Sequence, residues 1–254
     1  MVGELSDPPQ NSSGYSNVCD HPGGMLWRLR RSVANIRDTK QRRTEFGAAL
    51  ARATDVKLVV GANGTRFDGW ISADSEKELD LLDRRAWERA FAHKRLRHVL
   101  AEHVFEHLTF RGAVKGLGVI HEMLEPGGTL RFAVPDAYHP SSYYRDMVRP
   151  GGHEPAAREH QYFWSIEDIP VVERATGFRA EPLEYFDSEG SFHAVPFTDE
   201  RGYIQRCSRH YHPRGRDSDW DYSRIAATVP ERLRGEFGAR GLTYTSLLVD
   251  FVKD

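Results

Sequence analysis

The amino-acid sequence predicts an α/β fold, a mostly parallel sheet that is doubly wound with helices. Short apolar, β-branched runs such as Val56–Val60 and residues 129–136 alternate with segments of helical periodicity such as residues 113–124. Strands that are separated by helices tend to pair in parallel within one sheet, so this alternation favours the doubly wound arrangement. With 254 residues, 39% of them hydrophobic, the chain can bury a full core.

Three segments of the chain differ in composition. Residues 1–22 are rich in Pro, Ser, Asn and Gly, which predicts a flexible tail. Residues 23–54 carry Leu26 and Leu29 at helix spacing beside many arginines, which predicts a helical segment whose arginines form a solvated face. Residues 55–254 then form the main domain.

The main domain is predicted element by element from the hydrophobic pattern. In chain order it predicts strands at residues 56–60, 70–73, 78–83 and 97–100, helices from His103 and over 113–124, a turn at 125–128, a strand at 129–136, a helix at 169–178, and strands at 179–187 and 243–252. Residues 137–165 are rich in Tyr, His, Pro and Gly, and we interpret them as a substrate loop. The polar residues 209–240 are predicted to be an insertion.

Composition restricts the classes of partner. Thirty-five basic and 37 acidic residues give a formal charge of −2, so no global field favours nucleic acid or an anionic membrane. Cys19 and Cys207 are too far apart for a zinc knuckle and too few for a disulfide framework. The sequence has neither a long apolar run nor the features of a signal peptide. We therefore expect a cytoplasmic protein without nucleic acid or a membrane span.

The stretch "AEHVFEHL", residues 101–108, concentrates histidines and glutamates. On a helix, His103, Glu106 and His107 would share one face and could hold one cation or one proton. Read literally, the stretch is the H-x-x-E-H signature of a class of zinc peptidases. The alternative is structural: His107 packs within the helix and Glu106 pairs with an arginine.

The order of motifs resembles the class I S-adenosylmethionine-dependent methyltransferases. The glycine turn Gly61-Ala62-Asn63-Gly64 follows the first strand, Asp74 ends the second, and the sequence "LEPGG" at residues 124–128 precedes a later strand. The resemblance extends from about Lys57 to Phe251 and implies a Rossmann-like sheet of seven strands, with residues 55–254 as the methyltransferase domain. Many relatives have a third glycine in the turn and an acidic residue before it, which this chain lacks.

Four further motifs resemble a bacterial subgroup that is linked with surface sugars and polysaccharides. They are "GW-I-x-x-D" at residues 69–74, "EH-x-x-EHL" at 102–108, "VPD" at 134–136 and "YTSL-x-VD" at 244–250. This resemblance implies methyl transfer to a hydroxyl of a sugar or polysaccharide precursor, with a mannoside of the methylmannose polysaccharide type as the nearest match. The acceptor is expected to be a small molecule or an oligosaccharide, and a homodimer is compatible with the sequence.

The resemblance implies S-adenosylmethionine as the cofactor and assigns residues to it. Gly61, Ala62, Asn63 and Gly64 would approach it with their backbone, as glycine turns at strand ends do for nucleoside ligands. Asp74 would accept both ribose hydroxyls, unless it is only a surface turn residue. Asp83, or alternatively Asp80, would hold the adenine amine, and Glu102 would lie near the methionine moiety.

The cluster "HVFEH" is similar to the "E-x-x-E-H" cluster of two metal-assisted methyltransferase groups, which act on small-RNA 3′ ends and on ubiquinone precursors. His103 replaces the first glutamate, which leaves Glu106 and His107 as matches. The resemblance implies a divalent metal, magnesium or manganese, held by His103, Glu106, His107 and a further histidine, with His160 as first choice and His139 as second. In a metal-free site, His103 would instead act as the general base.

The remaining candidates concern the acceptor. Tyr138, His139, Tyr143 and Trp164 suit a carbohydrate, because the C–H faces of sugars lie against aromatic rings, although ordinary packing is the alternative. Asp136, which ends the "VPD" motif, is an additional catalytic candidate. The sequence therefore favours a sugar O-methyltransferase, with a zinc peptidase and a non-catalytic methyltransferase-like binding protein as alternatives.

Overall fold

A computed structural model describes residues 25–74, 78–210 and 220–254, with side chains from residue 38 onward. The chain divides into two units, Met1–Asp38 and Thr39–Asp254, and the second contains the sheet. The predicted tail, residues 1–22, lies outside the described residues. Within the described ranges, no helix has the length and apolar character to cross a membrane.

The described chain contains seven helices and seven strands, besides short 3₁₀ helices. The helices are α1 (Met25–Arg52), α2 (Arg84–Ala90), α3 (Phe110–Met123), α4 (Ser142–Val148), α5 (Ile169–Thr176), α6 (Tyr222–Ala227) and α7 (Glu231–Ala239). The strands are β1 (Val56–Val60), β2 (Ile71–Ala73), β3 (Leu96–Glu102), β4 (Leu124–Pro135), β5 (Arg179–Phe186), β6 (Phe192–Ala194) and β7 (Ser246–Val252). Asp83, Thr109 and Ser141 begin α2, α3 and α4, because each side chain accepts a hydrogen bond from an otherwise unpaired amide of the first turn.

The seven strands form one mixed sheet in the order β2-β1-β3-β4-β7-β5-β6. The four strands from β2 to β4 pair in parallel, whereas β7 is antiparallel to both β4 and β5, and β6 is antiparallel to β5. Five strands therefore run in one direction, and the predicted α/β class with a mostly parallel, seven-stranded sheet is confirmed. The ten residues 61–70 that connect β1 to β2 contain no helix.

The predicted third strand, residues 78–83, is wrong. The amides of Glu78 and Leu79 both donate to the carbonyl of Asp74, which makes this stretch a turn. Leu79 and Leu81 are buried, 4% and 6% exposed, so their alternation reflects a turn that packs two leucines into the core. The seventh strand is instead β6, whose three residues give too short a pattern to predict.

The helix predicted from His103 is also wrong at its start. His103 has a φ of 56°, in the left-handed region, and cannot begin a right-handed helix. A single 3₁₀ turn, Phe105–His107, follows, and α3 begins only after Thr109. The "AEHVFEHL" stretch is therefore a strand end followed by a tight turn.

Alternate strand residues divide the core between two faces of the sheet. The larger cluster includes Leu58, Val99, Phe132 and Val249 together with side chains of α1, α2, α3 and α5. The smaller cluster includes Val59, Leu100, Ala133 and Leu248, and the residues that cover it, Phe197, Ile204 and Cys207, come from an irregular segment. Helices thus cover one face, and irregular chain covers this part of the other.

The insertion contributes a third cluster. Ile225 of α6 and both Leu233 and Phe237 of α7 pack with Phe186 and Phe192 of β5 and β6. The short edge strand β6 is therefore stabilised by helices from residues 220–240, although the sequence shows them only as a polar interval.

A buried ion pair joins β4 to β7 on the smaller-cluster face. Arg131 Nε and Nη2 donate to the two carboxylate oxygens of Asp250 at 2.8 and 2.9 Å, and both side chains are at most 2% exposed. Arg131 Nη1 also donates to the carbonyls of Thr198 and Gly202, at 2.7 and 2.6 Å. The guanidinium thus links β4 and β7 to the irregular segment that covers the smaller cluster.

We expect Asp250→Ala to lower the free energy of unfolding by about 3–5 kcal/mol, because it leaves the Arg131 charge buried without its partner. Urea denaturation followed by circular dichroism measures the loss. Arg149→Ala, which removes an exposed ion pair with Asp146, is the matched control and should barely move the midpoint. Equal effects of the two substitutions would contradict this role of the pair.

Candidate functional site

One cavity, here called the main cavity because it contains most of the predicted site residues, lies at the carboxyl ends of β1 and β3 and has a volume of about 420 Å³. Its lining contains three residues of the glycine turn, two at the end of β3, and a cluster of acids and histidines. From the predicted site it brings together Gly61, Ala62, Asn63, Glu102, His103, Glu106, His107 and His160. Most of the predicted cofactor and metal residues therefore meet in one place.

The glycine turn is shaped by its backbone. Gly61, Asn63 and Gly64 have φ values of 60°, 41° and 86°, in the left-handed region that glycine and asparagine tolerate best. A Cβ at Gly61 would lie 2.5 Å from Val104 Cγ2, so glycine is also required for the close approach of the residue after His103. The carboxylate of Asp74 accepts the Asn63 amide at 2.7 Å and fixes the turn to the end of β2.

Asp74 lies on the other side of this turn from the main cavity's cluster. It lines a second cavity of about 270 Å³, which shares Ala62 and Thr65 with the first and also contains Gly64. Arg42 Nη1 is 3.4 Å from Asp74 Oδ2 and 3.1 Å from Glu78 Oε1. Any ligand that uses both Asp74 and Glu102 must therefore extend across the turn.

The two candidates for the adenine amine lie in neither of these cavities. Asp83 caps α2 by accepting the Ala86 amide at 3.1 Å, and Asp80 accepts the Leu82 amide at 2.9 Å. Both line a third cavity, of about 480 Å³. Each carboxylate thus has a local structural role.

Glu106, His107 and His160 form the tightest cluster of metal-binding groups in the described part of the chain. One ligand atom from each lies within 4.8 Å of the others. The amides of Gln161 and Tyr162 both donate to the Glu106 carbonyl, at 2.7 and 3.2 Å, which brings residues 160–162 close to the end of β3. His103 is not part of this set, although it was predicted as a ligand.

The Glu106 carboxylate is buried without hydrogen bonds. The residue is 1% exposed, and neither oxygen accepts a hydrogen bond from any other residue that the structure describes. Its nearest basic groups are His103 Nδ1 at 3.1 Å and His160 Nε2 at 4.0 Å. Burial raises the pKa of Glu106 to about 7. An unsatisfied buried carboxylate is costly, and a cation would compensate it.

The two histidines beside Glu106 are held in different ways. His160 Nδ1 lies 2.7 Å from the carbonyl of Val148, so Nδ1 carries the proton and Nε2 is left as an acceptor towards Glu106. His103 lies 3.0 Å from Ser246 Oγ through Nε2. Burial lowers the pKa of His160, and it lowers the pKa of His103 well below its ordinary value. Both imidazoles are therefore neutral near pH 7.

In residues 101–108, all of them described, the structure does not have the helix that the zinc-peptidase interpretation requires. It requires His103 and His107 on one face of a helix, and residues 101–108 do not form an α-helix.

Asp136, a catalytic candidate from the sequence, has a structural role in the fold. It is fully buried outside the main cavity, and its carboxylate accepts the amides of Tyr138 and Phe186, both at 2.8 Å. These bonds join the end of β4 to the end of β5. Burial raises the pKa of Asp136 to about 7.

The predicted substrate aromatics do not line the main cavity. Trp164 is fully buried in the larger core cluster against Phe110 and Phe132. His139 is fully buried, with Nε2 2.9 Å from the carbonyl of Thr243. Tyr138 and Tyr143 pack against the third cluster. The aromatic composition of residues 137–165 thus reflects packing, which was the alternative interpretation.

Other residues of the cavity were missed. Phe67, from the β1–β2 connection, and Tyr203 and Gln205, from the irregular segment, contribute to its lining. They lie outside regular strands and helices and carry no periodic signal. They could have been identified only from their closeness to the strand ends in the folded chain. The sequence does not give that distance.

Solved structures resemble this chain weakly. An O-methyltransferase family protein from Burkholderia thailandensis matches with a TM-score of 0.38 and 16% identity over 63% of this chain, which spans 56% of that protein's length. A SAM-dependent methyltransferase from Archaeoglobus fulgidus gives a TM-score of 0.42 and 11% identity, over 84% of this chain and 94% of the other. An S-adenosylmethionine-dependent methyltransferase from Clostridium acetobutylicum gives 0.33 and 10%, over 61% and 91%. No family model matches the chain, and neither does any curated protein. Likenesses of this strength do not assign an activity.

We expect the Asp136 carboxyl to make the protein less stable as the pH rises. Its pKa of about 7 in the folded state exceeds the ordinary 3.8, so the folded state holds the proton more tightly than the unfolded chain. The free energy of unfolding should fall between about pH 4 and about pH 7, and the curve for Asp136→Asn, which does not titrate, should be flatter. Urea midpoints measured across this range test the difference, and parallel curves would refute it.

Proposed function

We propose that the protein is an S-adenosylmethionine-dependent O-methyltransferase that acts on a hydroxyl of a sugar or polysaccharide precursor. The observation that carries this proposal is the meeting, in one cavity, of a left-handed glycine turn after β1, the strand-end acid Glu102, and the cluster Glu106–His107–His160. Ligands of open α/β sheets bind at the carboxyl ends of the strands, where this cavity lies.

The turn fits the cofactor because it separates two connected cavities. Gly61 and Asn63 offer backbone to the main cavity, and Gly64 and Asp74 line the second. The methionine end would lie in the first cavity and the ribose at Asp74 in the second. When bound, the cofactor supplies an activated methyl group on a sulfonium. Gly64 has open space where a Cβ would be, which leaves room for a ligand there.

In a site without metal, His103 is the proposed general base. Transfer to a hydroxyl requires removal of its proton, and a neutral imidazole in the cavity can accept it. Burial lowers the pKa of His103 enough to keep it neutral. Glu106 Oε1, 3.1 Å from Nδ1, would stabilise the imidazolium that forms.

Glu106, His107 and His160 would hold a divalent metal. The unsatisfied Glu106 oxygens fit a cation, and the bond from His160 to Val148 orients Nε2 as a ligand. When bound, the metal would lower the pKa of the acceptor hydroxyl. Two imidazoles with one carboxylate favour manganese or zinc over magnesium, which prefers oxygen ligands.

We expect the wild-type protein to transfer label from methyl-labelled S-adenosylmethionine to mannose oligosaccharides, and the cofactor to raise its melting temperature. Asp74→Ala should abolish both effects, since binding stabilises only a folded state that has the site. Asp146→Ala, an exposed aspartate outside the cavities, is the control. An unchanged melting curve at saturating cofactor would contradict the proposal.

We expect the dialysed protein to bind one equivalent of manganese or zinc more tightly than magnesium. Isothermal titration calorimetry measures this without any acceptor. His160→Ala should weaken binding by about 10-fold or more, because it removes one ligand, whereas His153→Ala changes an exposed histidine of the same loop and should have no effect. Identical titrations for both variants would exclude this site.

A further inference from the structure

Residues 198–208 form an irregular segment, the wall segment, that covers the smaller cluster and reaches the main cavity. Ile204 and Cys207 are fully buried against the sheet. Tyr203, Gln205 and Arg206 line the cavity. The wall segment therefore has one side in the core and the other at the main cavity.

Charged side chains from two parallel neighbours, β3 and β4, fix the backbone of this segment. Glu102 accepts the amides of Gln205 and Arg206 at 3.2 and 2.8 Å. Arg131 donates to two carbonyls at its start, those of Thr198 and Gly202. Hydrogen bonds to charged groups are about twice as strong as neutral ones.

The other end of the wall segment is held in the same way. Glu184 of β5, 1% exposed, accepts both the amide and the hydroxyl of Ser208, at 2.8 and 2.7 Å. The amide of Ser246 in β7 donates to the Arg206 carbonyl at 3.1 Å. Four strands thus position a segment that has little regular structure of its own. Glu102, predicted to contact the cofactor, spends both carboxylate oxygens on this anchoring.

The cavity side of the wall segment has the chemistry of a sugar site. Phe67 and Tyr203 are the two residues with phenyl or phenol rings among the described cavity lining, and their ring centroids are 5.9 Å apart at 55°. His210 stacks on Tyr203 at 4.5 Å and holds that ring in place. The exposed Gln205 amide can both donate to and accept from hydroxyls.

We propose that the wall segment selects the acceptor: Tyr203, which lines the cavity, contacts a pyranose, and Gln205 hydrogen-bonds its hydroxyls. This inference rests on the proposed function and deepens it, because it locates the acceptor contacts away from residues 137–165. A residue that determines specificity benefits from a fixed position. A ring that is already held by its neighbours loses little conformational entropy when a sugar binds. The same rings could instead hold adenine, and the test separates the two.

The test uses the full chain, methyl α-mannoside and mannobiosides as probes, and S-adenosylhomocysteine in a separate titration. Saturation-transfer NMR and calorimetry give both dissociation constants. Tyr203→Leu should raise the Kd for the glycosides at least about tenfold and leave that for S-adenosylhomocysteine within about twofold. Tyr185→Leu is the matched control, because Tyr185 also stacks on a histidine, His193, but outside the cavity. Gln205→Ala, at an exposed position, should weaken glycoside binding without risk to folding.

Each result decides the inference. A selective rise in the glycoside Kd for Tyr203→Leu and Gln205→Ala supports it. A rise for S-adenosylhomocysteine instead assigns the rings to adenine and overturns it. Absence of glycoside binding to the wild type, with S-adenosylhomocysteine bound, also overturns it and leaves the cofactor part of the proposed function intact. Glycoside binding that depends on Tyr203 without any cofactor binding would support the sugar site and refute the methyltransferase.

Discussion

The cavity depends on the buried guanidinium of Arg131. That group forms two hydrogen bonds with Asp250 on the neighbouring strand and two with carbonyls of the wall segment. A charge at 1% exposure is tolerable only when it is paired and hydrogen-bonded, so movement of the segment would leave Nη1 buried without its two acceptors. Side chains of the sheet therefore hold this irregular segment in place by hydrogen bonds.

Elements with a regular hydrophobic pattern could be predicted from the sequence. β1 is evident from a short apolar run, β4 from alternation, and the turn at Gly61 follows from glycine where a strand stops. The strand assigned to residues 78–83 is wrong, since alternating leucines also arise when a turn faces the core. A period of two is evidence of burial on alternate residues and not of a ladder of hydrogen bonds.

The acid–histidine cluster was predicted partly for the wrong reason. Helical spacing would have placed His103 with Glu106 and His107, whereas the left-handed φ of His103 turns the chain before the 3₁₀ turn forms. His160 joins the cluster because two amides that follow it bind the Glu106 carbonyl, and no spacing in the sequence contains that information. Tyr138, His139, Tyr143 and Trp164 pack outside the main cavity, whereas its phenyl and phenol rings, Phe67 and Tyr203, come from segments with no periodic pattern.

The connection from β1 to β2, which contains no helix, also affects the electrostatics around the glycine turn. In doubly wound folds this turn usually opens a helix, whose amino end attracts phosphate. Here residues 61–70, all of them described, form no helix, so this connection supplies no helix macrodipole at the glycine turn. A ligand in this cleft would therefore meet the backbone of the glycine turn and the side chains of Arg42, Arg52 and Arg66, which line the second cavity, in place of a helix end.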